Sequence, residues 1–433
     1  MSEAPSAPPS ESLDPTPDDP TAGRASVRAQ PRAQPRAQPM DPWLFFAALA
    51  LSALGLVMVY SAGAWFGHEV FGDWEYFLHR QAGFLVVGVV LMLALSRIDY
   101  RVLRRFSPHL MLAALAMLLL VLVIGQEING ARRWIRFGPV GIQPSEVAKV
   151  TLTIFLAATL ARQGERVRMF KRGFMPVMGI ATFTMLMVLA EKDLGTTILL
   201  GSLTLIMLFA AGTRLSYVVA AVMLAAPLVW QQIVGVDYRR GRLEEFMSGD
   251  GYQVHQALIA IGSGGPWGRG LGHGRQKLGF LPENHTDFIL ATIGEEMGLL
   301  GILLVLGLVA LLVWRGLVIA RQASDRFGTY LATGLSALFG LQALVNMAVV
   351  LELIPAKGIT LPFLSYGGSS LLASLGAVGL LLSISRRPAA WRLSDQRGRR
   401  RARMPKPGTP KSNSPERPRN VRRPRAPDDA DPT

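Results

Sequence analysis

The chain has no cysteine among its 433 residues. That excludes disulfide scaffolds, thiol nucleophiles and cysteine-ligated zinc. Charge is scarce as well, at 17% of residues. The start lacks the shape of a cleavable signal peptide: the first apolar run begins near residue 43, behind a long polar stretch, and reads as an anchor. Aromatic side chains are nearly missing from residues 1–41 and 388–433, which are polar and rich in Pro and Arg. Such segments cannot bury enough apolar surface to offset the entropy of ordering, so both tails are expected to be disordered. Three copies of Arg-Ala-Gln-Pro over 28–39 fit a low-complexity linker.

Long apolar runs fill the rest. Half of the residues are hydrophobic, and the mean hydropathy is +0.31. A span needs roughly 20 apolar residues to cross the hydrocarbon core. Ten candidates lie at about 43–63, 82–98, 109–126, 145–161, 174–190, 195–211, 215–235, 286–313, 328–351 and 365–385. The expectation is an all-α polytopic membrane protein of about ten transmembrane helices, with a membrane domain at 42–387. The net charge of +15 sits in tails and short loops, as membrane proteins carry it, and does not call for nucleic acid.

Positive charge sets an orientation. Arg24–Arg36 precede the first span. Arg97–Arg105 follow the second, Arg162–Arg172 the fourth, Arg214 the sixth, Arg315–Arg326 the eighth and Arg386–Arg387 the tenth. Every second loop is basic, so both tails are expected to be cytoplasmic, with the basic tails near anionic membrane lipids. Two loops on the opposite face break the rule. One carries Arg132, Arg133 and Arg136. The other, the large extracytoplasmic loop 236–285, carries Arg239, Arg240, Arg242, Arg269, Arg275 and Lys277. Cations there suit an anionic head group, although a long loop also escapes the rule.

Ionisable residues at the membrane edge have two readings each. Glu146 and Lys149, three apart, share a helix face, with Ser145 as a cap. Glu146 suits the helix dipole, whereas an ammonium one turn into a span needs a partner or a polar cavity. Trp134 is an interfacial aromatic or a wall for a sugar ring. Asp193 is a cap for the sixth span. Glu295 and Glu296 fall inside the eighth span and require either pairing or a cavity. In "LPFLSYGGSSLL" (361–372), Ser365 is a candidate cap. The small residues there allow close helix packing or amide binding of phosphate. Lys357 adds a further cation to the same face. Last, "LPENHTDFIL" (281–290) sets Glu283, His285 and Asp287 before an apolar run. Thr286 or Asp287 is either a helix cap or, for Asp287, a general base beside the upstream cations Arg275 and Lys277.

Four blocks in order carry a resemblance: "NGARRWIRFGPVGIQPSEVAK" (129–149), "DLGTT" (193–197), "IGSGGPWGRGLGHGRQKLGFLPENHTDFILATIGEEMG" (261–298) and "KGITLPFLSYGGSS" (357–370). They resemble the shape, elongation, division and sporulation family of ten-span bacterial membrane proteins over roughly 43–387, and its cell-division branch more than its elongation branch. Lys192 stands where the family usually has proline, and Asn284 where alanine is common.

The resemblance implies a peptidoglycan glycosyltransferase acting on lipid II in the bacterial cytoplasmic membrane, at the division septum. Asp287 would be the base, taking the proton of the acceptor's N-acetylglucosamine 4-hydroxyl. Undecaprenyl pyrophosphate would leave by inverting displacement. The pyrophosphate would be held by Lys149 and Arg133, then Arg275, Lys277 and Arg132, with Glu146 orienting Lys149. A magnesium or manganese ion at the pyrophosphate is left open, since no metal-ligand spacing demands one. A class B penicillin-binding transpeptidase and other division proteins are the implied partners. A lipid II flippase and a non-catalytic division scaffold are the competing functions.

Overall fold

A computed structural model describes residues 39–387 apart from 129 and 139. Most of both tails, read from composition as disordered, therefore lies outside the described residues. Ten apolar helices account for the ten expected spans. They are α1 (Pro42–Phe71), α2 (Tyr76–Arg97), α3 (Tyr100–Ile124), α4 (Pro144–Gln163), α5 (Met175–Ala190), α6 (Leu194–Ala210), α7 (Leu215–Val234), α10 (Ile289–Gln322), α11 (Arg326–Val350) and α12 (Gly368–Ser385). Among the described residues nine are long and apolar enough to cross a membrane; α6, at 17 residues, is the short one. At 1.5 Å per residue it reaches about 26 Å, just under the hydrocarbon thickness.

Helices α12, α4 and α11 form the centre of the bundle, and α7 lies at its edge with no buried residue. Small residues explain how α12 gets there. A side chain at Gly379 would meet the Met92 carbonyl at 2.6 Å, and one at Gly368 would meet the Phe84 ring at 2.4 Å. The glycines thus let α2 lie directly on α12. Within the Gly-Gly-Ser-Ser segment, Gly368 serves close packing, while Gly367, Ser369 and Ser370 face the cavity described below.

Several helices run past their apolar cores. α3 begins at Tyr100 and takes in Arg101, Arg104 and Arg105, and α10 continues through Arg315 and Arg321. Arginine stems cover apolar surface while their heads stay outside it. At that end Asp41 caps α1 through the Leu44 amide and pairs with Arg315. Asp325 caps α11 and binds Arg101 and the Tyr100 hydroxyl.

The opposite end is built differently from the expected plain loops. Residues 126–142 form an antiparallel meander, β1 (Gln126–Ile128), β2 (Ala131–Phe137) and β3 (Val140–Ile142). The stretch after α7 holds two short helices, α8 (Asp237–Ser248) and α9 (Tyr252–Gly264). A glycine-rich loop then runs to α10.

Helix α10 is itself broken at Gly298, whose φ of 67° and ψ of −161° are not helical. Gly268, also at positive φ (81°), packs against this break; a side chain at Gly298 would meet the Gly268 nitrogen at 2.3 Å. Only glycine fits either position. The break corrects the reading of Glu295 and Glu296 as residues of a continuous span. They lie in the short leading segment and gather the loop. The Glu295 carboxylate accepts the Arg275 and Gln276 amides at 2.7 and 3.2 Å. Glu296 accepts the Gly272 amide at 3.0 Å, the Ser61 hydroxyl at 2.7 Å and Lys277 Nζ at 2.7 Å.

Candidate active site

The end of the bundle with the meander holds a cavity of about 650 Å³, a size that suits a substrate head group. Its walls come from β2, the α5–α6 turn, α8, the loop before α10 and the α11–α12 connection. Each wall delivers charge for a local reason. Strand alternation along Ala131–Ile135 buries Ala131 and Ile135 and leaves Arg132 exposed, with Arg133 and Trp134 half-buried. At the α5–α6 turn, Lys192 adopts φ 61°, and its Nζ donates to the Gly130 carbonyl at 2.6 Å. This left-handed backbone is one that the family's usual proline at this position cannot adopt. Asp193 follows and caps α6, accepting from the Thr196 amide at 2.9 Å and its hydroxyl at 2.8 Å.

Asp287 stands in the wall, just before α10. The N-cap of α10 is Phe288, and no side chain caps it. Thr286 spends its hydroxyl on Glu283, at 2.8 Å from Oε2. Among the described residues no donor bonds to the Asp287 carboxylate, so it is not serving as a helix cap. Its backbone is pinned instead: its carbonyl accepts from Asn346 Nδ2 at 2.7 Å. Gly358 lies against the carboxylate, where a Cβ would stand 2.9 Å from Oδ2. Burial pushes this carboxyl up to about 7, helped by Glu283 and Asp193 and opposed by Arg242 and Arg133.

Six cationic side chains, Arg133, Arg136, Lys192, Arg239, Arg242 and Lys357, line the cavity with the carboxylates Asp193, Glu283 and Asp287. Among the described residues none of the six makes an ion pair. Four of them are held by neutral oxygens. Arg133 donates to the carbonyls of Glu191 (3.2 Å) and Lys192 (2.7 Å), Arg242 to that of Ala356 (3.0 Å), and Arg239 to the carbonyl (3.1 Å) and side-chain oxygen (3.0 Å) of Gln232. Lys192 is held by Gly130, as above. Burial pulls Lys357 and Arg239 below their ordinary values, as expected for cations without a carboxylate partner in contact.

Of the catalytic and substrate-holding candidates taken from sequence, Asp287, Arg133, Trp134 and Glu283 line this cavity. The others do not. Lys149 and Glu146 form a buried ion pair at 2.8 Å inside α4, whose own first turn leaves the Ser145 hydroxyl unbonded rather than capping. Lys277 is committed to Glu296 and Ser61. Arg275 contributes its backbone amide to Glu295, and its side chain is exposed. Arg132 faces Glu127 at 3.7 Å.

His285 is buried among Phe66, Phe77 and Tyr366, with ring centroids 4.6–5.7 Å away, and burial holds it below its ordinary value. It anchors the loop: its carbonyl accepts the Tyr366 amide at 2.9 Å. Ser365 closes the preceding turn through the Leu361 amide, at 2.8 Å, and α12 starts at Gly368 with Gly367 as its N-cap. Arg239, Arg242 and Lys357, which the sequence marked only as cations breaking the charge rule for their face and did not assign to the pyrophosphate, are ones the fold brings to the cavity.

A family model described as cell cycle protein, spanning FtsW, RodA and SpoVE, matches residues 42–389. The chain belongs to this family. It is 45% identical over 353 residues to a probable peptidoglycan glycosyltransferase FtsW of Trichlorobacter lovleyi, covering 80% of this chain and 93% of the relative. The probable peptidoglycan glycosyltransferase FtsW of Geobacter metallireducens is 43% identical over 355 residues, covering 80% and 95%. Among solved structures, a chain of a peptidoglycan synthase complex that coordinates polymerization and crosslinking superposes with a TM-score of 0.64 at 28% identity, covering 80% of this chain and 98% of that one. The fold is thus that of a multi-pass membrane protein of this family.

Proposed function

We propose that the chain is a peptidoglycan glycosyltransferase that polymerises lipid II into β-1,4 glycan strands during septal wall synthesis. Asp287 is its general base. The observation that carries this reading is a carboxylate that caps nothing, titrates near neutrality and faces a cavity lined by unpaired cations. A base works best when its pKa lies near the operating pH. Asp287 takes the proton from the acceptor's 4-hydroxyl as that oxygen attacks C1 of the donor sugar. The C1–O bond to the pyrophosphate breaks, and undecaprenyl pyrophosphate leaves. One displacement turns an α-linked donor into a β-linked product, so a single base suffices. Arg133, Arg239, Arg242 and Lys357 balance the charge on the leaving pyrophosphate. The three arginines, held through neutral oxygens, are placed before substrate arrives and keep their charge for it.

The cavity offers no preformed all-protein site for a divalent cation among the described residues. Asp193 is used as a cap and Glu283 by Thr286. Among the described residues no three His, Asp or Glu side chains come together as a metal site. An ion carried in on the pyrophosphate would be substrate. The basic loops at the far end support a cytoplasmic placement of both tails, with the cavity opening outside. The relatives' names and the solved synthase complex support division as the setting and a penicillin-binding transpeptidase as the partner.

The deciding experiment is polymerisation of purified lipid II by the reconstituted protein with its cognate transpeptidase, wild type against Asp287→Asn. Long strands from the wild type and none from a folded variant are expected. Equal polymerisation would move the base elsewhere and return the flippase and scaffold readings, neither of which requires a base.

A further inference from the structure

Asn346 sits at the cavity end of α11, 1% exposed, and belongs to none of the motifs. Its side-chain nitrogen donates twice: to the Asp287 carbonyl at 2.7 Å and to the Ile359 carbonyl at 2.8 Å. An amide nitrogen has two hydrogens, so both are used. The acceptors lie on different chain segments. One is the loop carrying Asp287; the other is the connection carrying Lys357 and Gly358. Both are cavity walls. Between them there is no slack, because a single carbon added at Gly358 would press on Asp287 Oδ2 at 2.9 Å. The connection is held a second time from α8, by Arg242 on the Ala356 carbonyl. The Asn346 oxygen itself is buried without a partner. A side chain serving only to fill α11 would not retain an amide there at the cost of an unbonded acceptor.

We propose that Asn346 is a positioning residue for the transfer reaction: its two N–H donations fix the Asp287 carboxylate against the Lys357–Gly358 wall. The inference rests on the reading of Asp287 as the base. The amide acts through the backbone and touches no reacting atom, so it sets where the base points rather than how substrate binds.

The test uses the full chain reconstituted with its transpeptidase and purified lipid II. Asn346→Asp preserves shape but loses both donors, Asn346→Leu loses all polarity, and Asn346→Ser retains one donor. Rates are expressed per folded molecule, from the fraction resisting thermal unfolding. For Asp and Leu, kcat is expected to fall about 10–100-fold, since small displacements of a reacting group carry such effects. KM for lipid II stays within about twofold. Serine recovers part of the loss.

The pH profile supplies the readout that a merely structural role would not move. Asp287 is surrounded by Glu283 on its own loop, Arg242 on α8, Asp193 at the α5–α6 turn and Arg133 on β2. A carboxylate released toward solvent loses the burial that opposes its ionisation, so the rising limb of the rate moves to lower pH. Two outcomes overturn the proposal. One is wild-type kcat and midpoint in Asn346→Leu. The other is a loss that matches the loss of folded protein with the midpoint unmoved. The prior reading fails separately: if Asp287→Asn polymerises normally, Asp287 is not the base, whatever Asn346 does.

Discussion

Replacing Asp287 by asparagine removes one ionisable group and leaves side-chain shape almost unchanged. The structure gives its effect on stability a definite sign. The folded-state value, about 7, lies above the ordinary 3.8. The folded protein therefore binds the proton more tightly than the unfolded chain between about pH 4 and pH 7, and this group's contribution to stability falls as pH rises through that window. The gap between these two values corresponds to roughly 4 kcal/mol at full value. The side chain is half-buried and faces an open cavity, so solvent screening reduces this to the order of 1–2 kcal/mol.

At pH 8, Asp287→Asn should unfold at a higher temperature than wild type, with the gain shrinking toward pH 4. Polymerisation should fall about 10²–10⁴-fold, the contribution of a general base. Wild-type rate should rise with pH through about 7, as the carboxylate ionises. The assays are thermal unfolding in lipid nanodiscs across pH and strand synthesis on the same preparations. Asn caps a helix as well as Asp does, so a cap predicts no gain in stability and no loss of turnover. A gain over wild type no larger at pH 8 than at pH 4, in an Asp287→Asn protein that still polymerises, would refute the argument.

Gly358→Ala puts a methyl 2.9 Å from Asp287 Oδ2, and kcat should fall about 10–100-fold with KM little changed, as steady-state kinetics will report. Lys277→Met strands the buried Glu296 carboxylate with only hydroxyl and amide donors. The loss should be about 3–5 kcal/mol, most of it recovered by adding Glu296→Gln, as read by unfolding in detergent. Glu191 is buried with neither oxygen bonded, and burial, then Asp193, raises it to about 8. Wild-type stability should therefore fall as pH rises from about 4.5 toward 8, and Glu191→Gln should flatten that limb.

Helix number was readable because apolar runs of span length admit few other structures. Helix ends were not, because arginine and tyrosine continue a helix beyond its apolar core, as at the start of α3 and the end of α10. The meander over 126–142 was not legible, because Ala-Arg-Arg-Trp-Ile at 131–135 does not alternate polar with apolar residues and the strands beside it are only three residues long. The break at Gly298 had no signal: its backbone is set by Gly268, thirty positions earlier, packing against it. Asn346 was equally silent, since an amide in an apolar helix shows its use only when two distant carbonyls meet it.

Cations were the hardest to sort, and the reason is physical. Lys149, Lys277, Arg133 and Arg242 look alike in sequence: basic residues on a face that should be poor in them. The structure separates them by partner. Lys149 and Lys277 lie within 2.8 Å of carboxylates and are largely neutralised by them. Arg133 and Arg242 are oriented by carbonyl oxygens, which fix geometry and leave the formal charge uncompensated. Holding several such groups around one cavity costs stability through mutual repulsion and desolvation. An arrangement of that kind persists where an anion arrives to relieve it. The glutamates that could have relieved it from within, Glu295 and Glu296, are turned the other way to fasten the glycine-rich loop. Of the three carboxylates beside the cations, Asp193 caps a helix and Glu283 accepts from Thr286, whereas Asp287 is tied down by its backbone and not by its oxygens, which leaves those oxygens free for a proton.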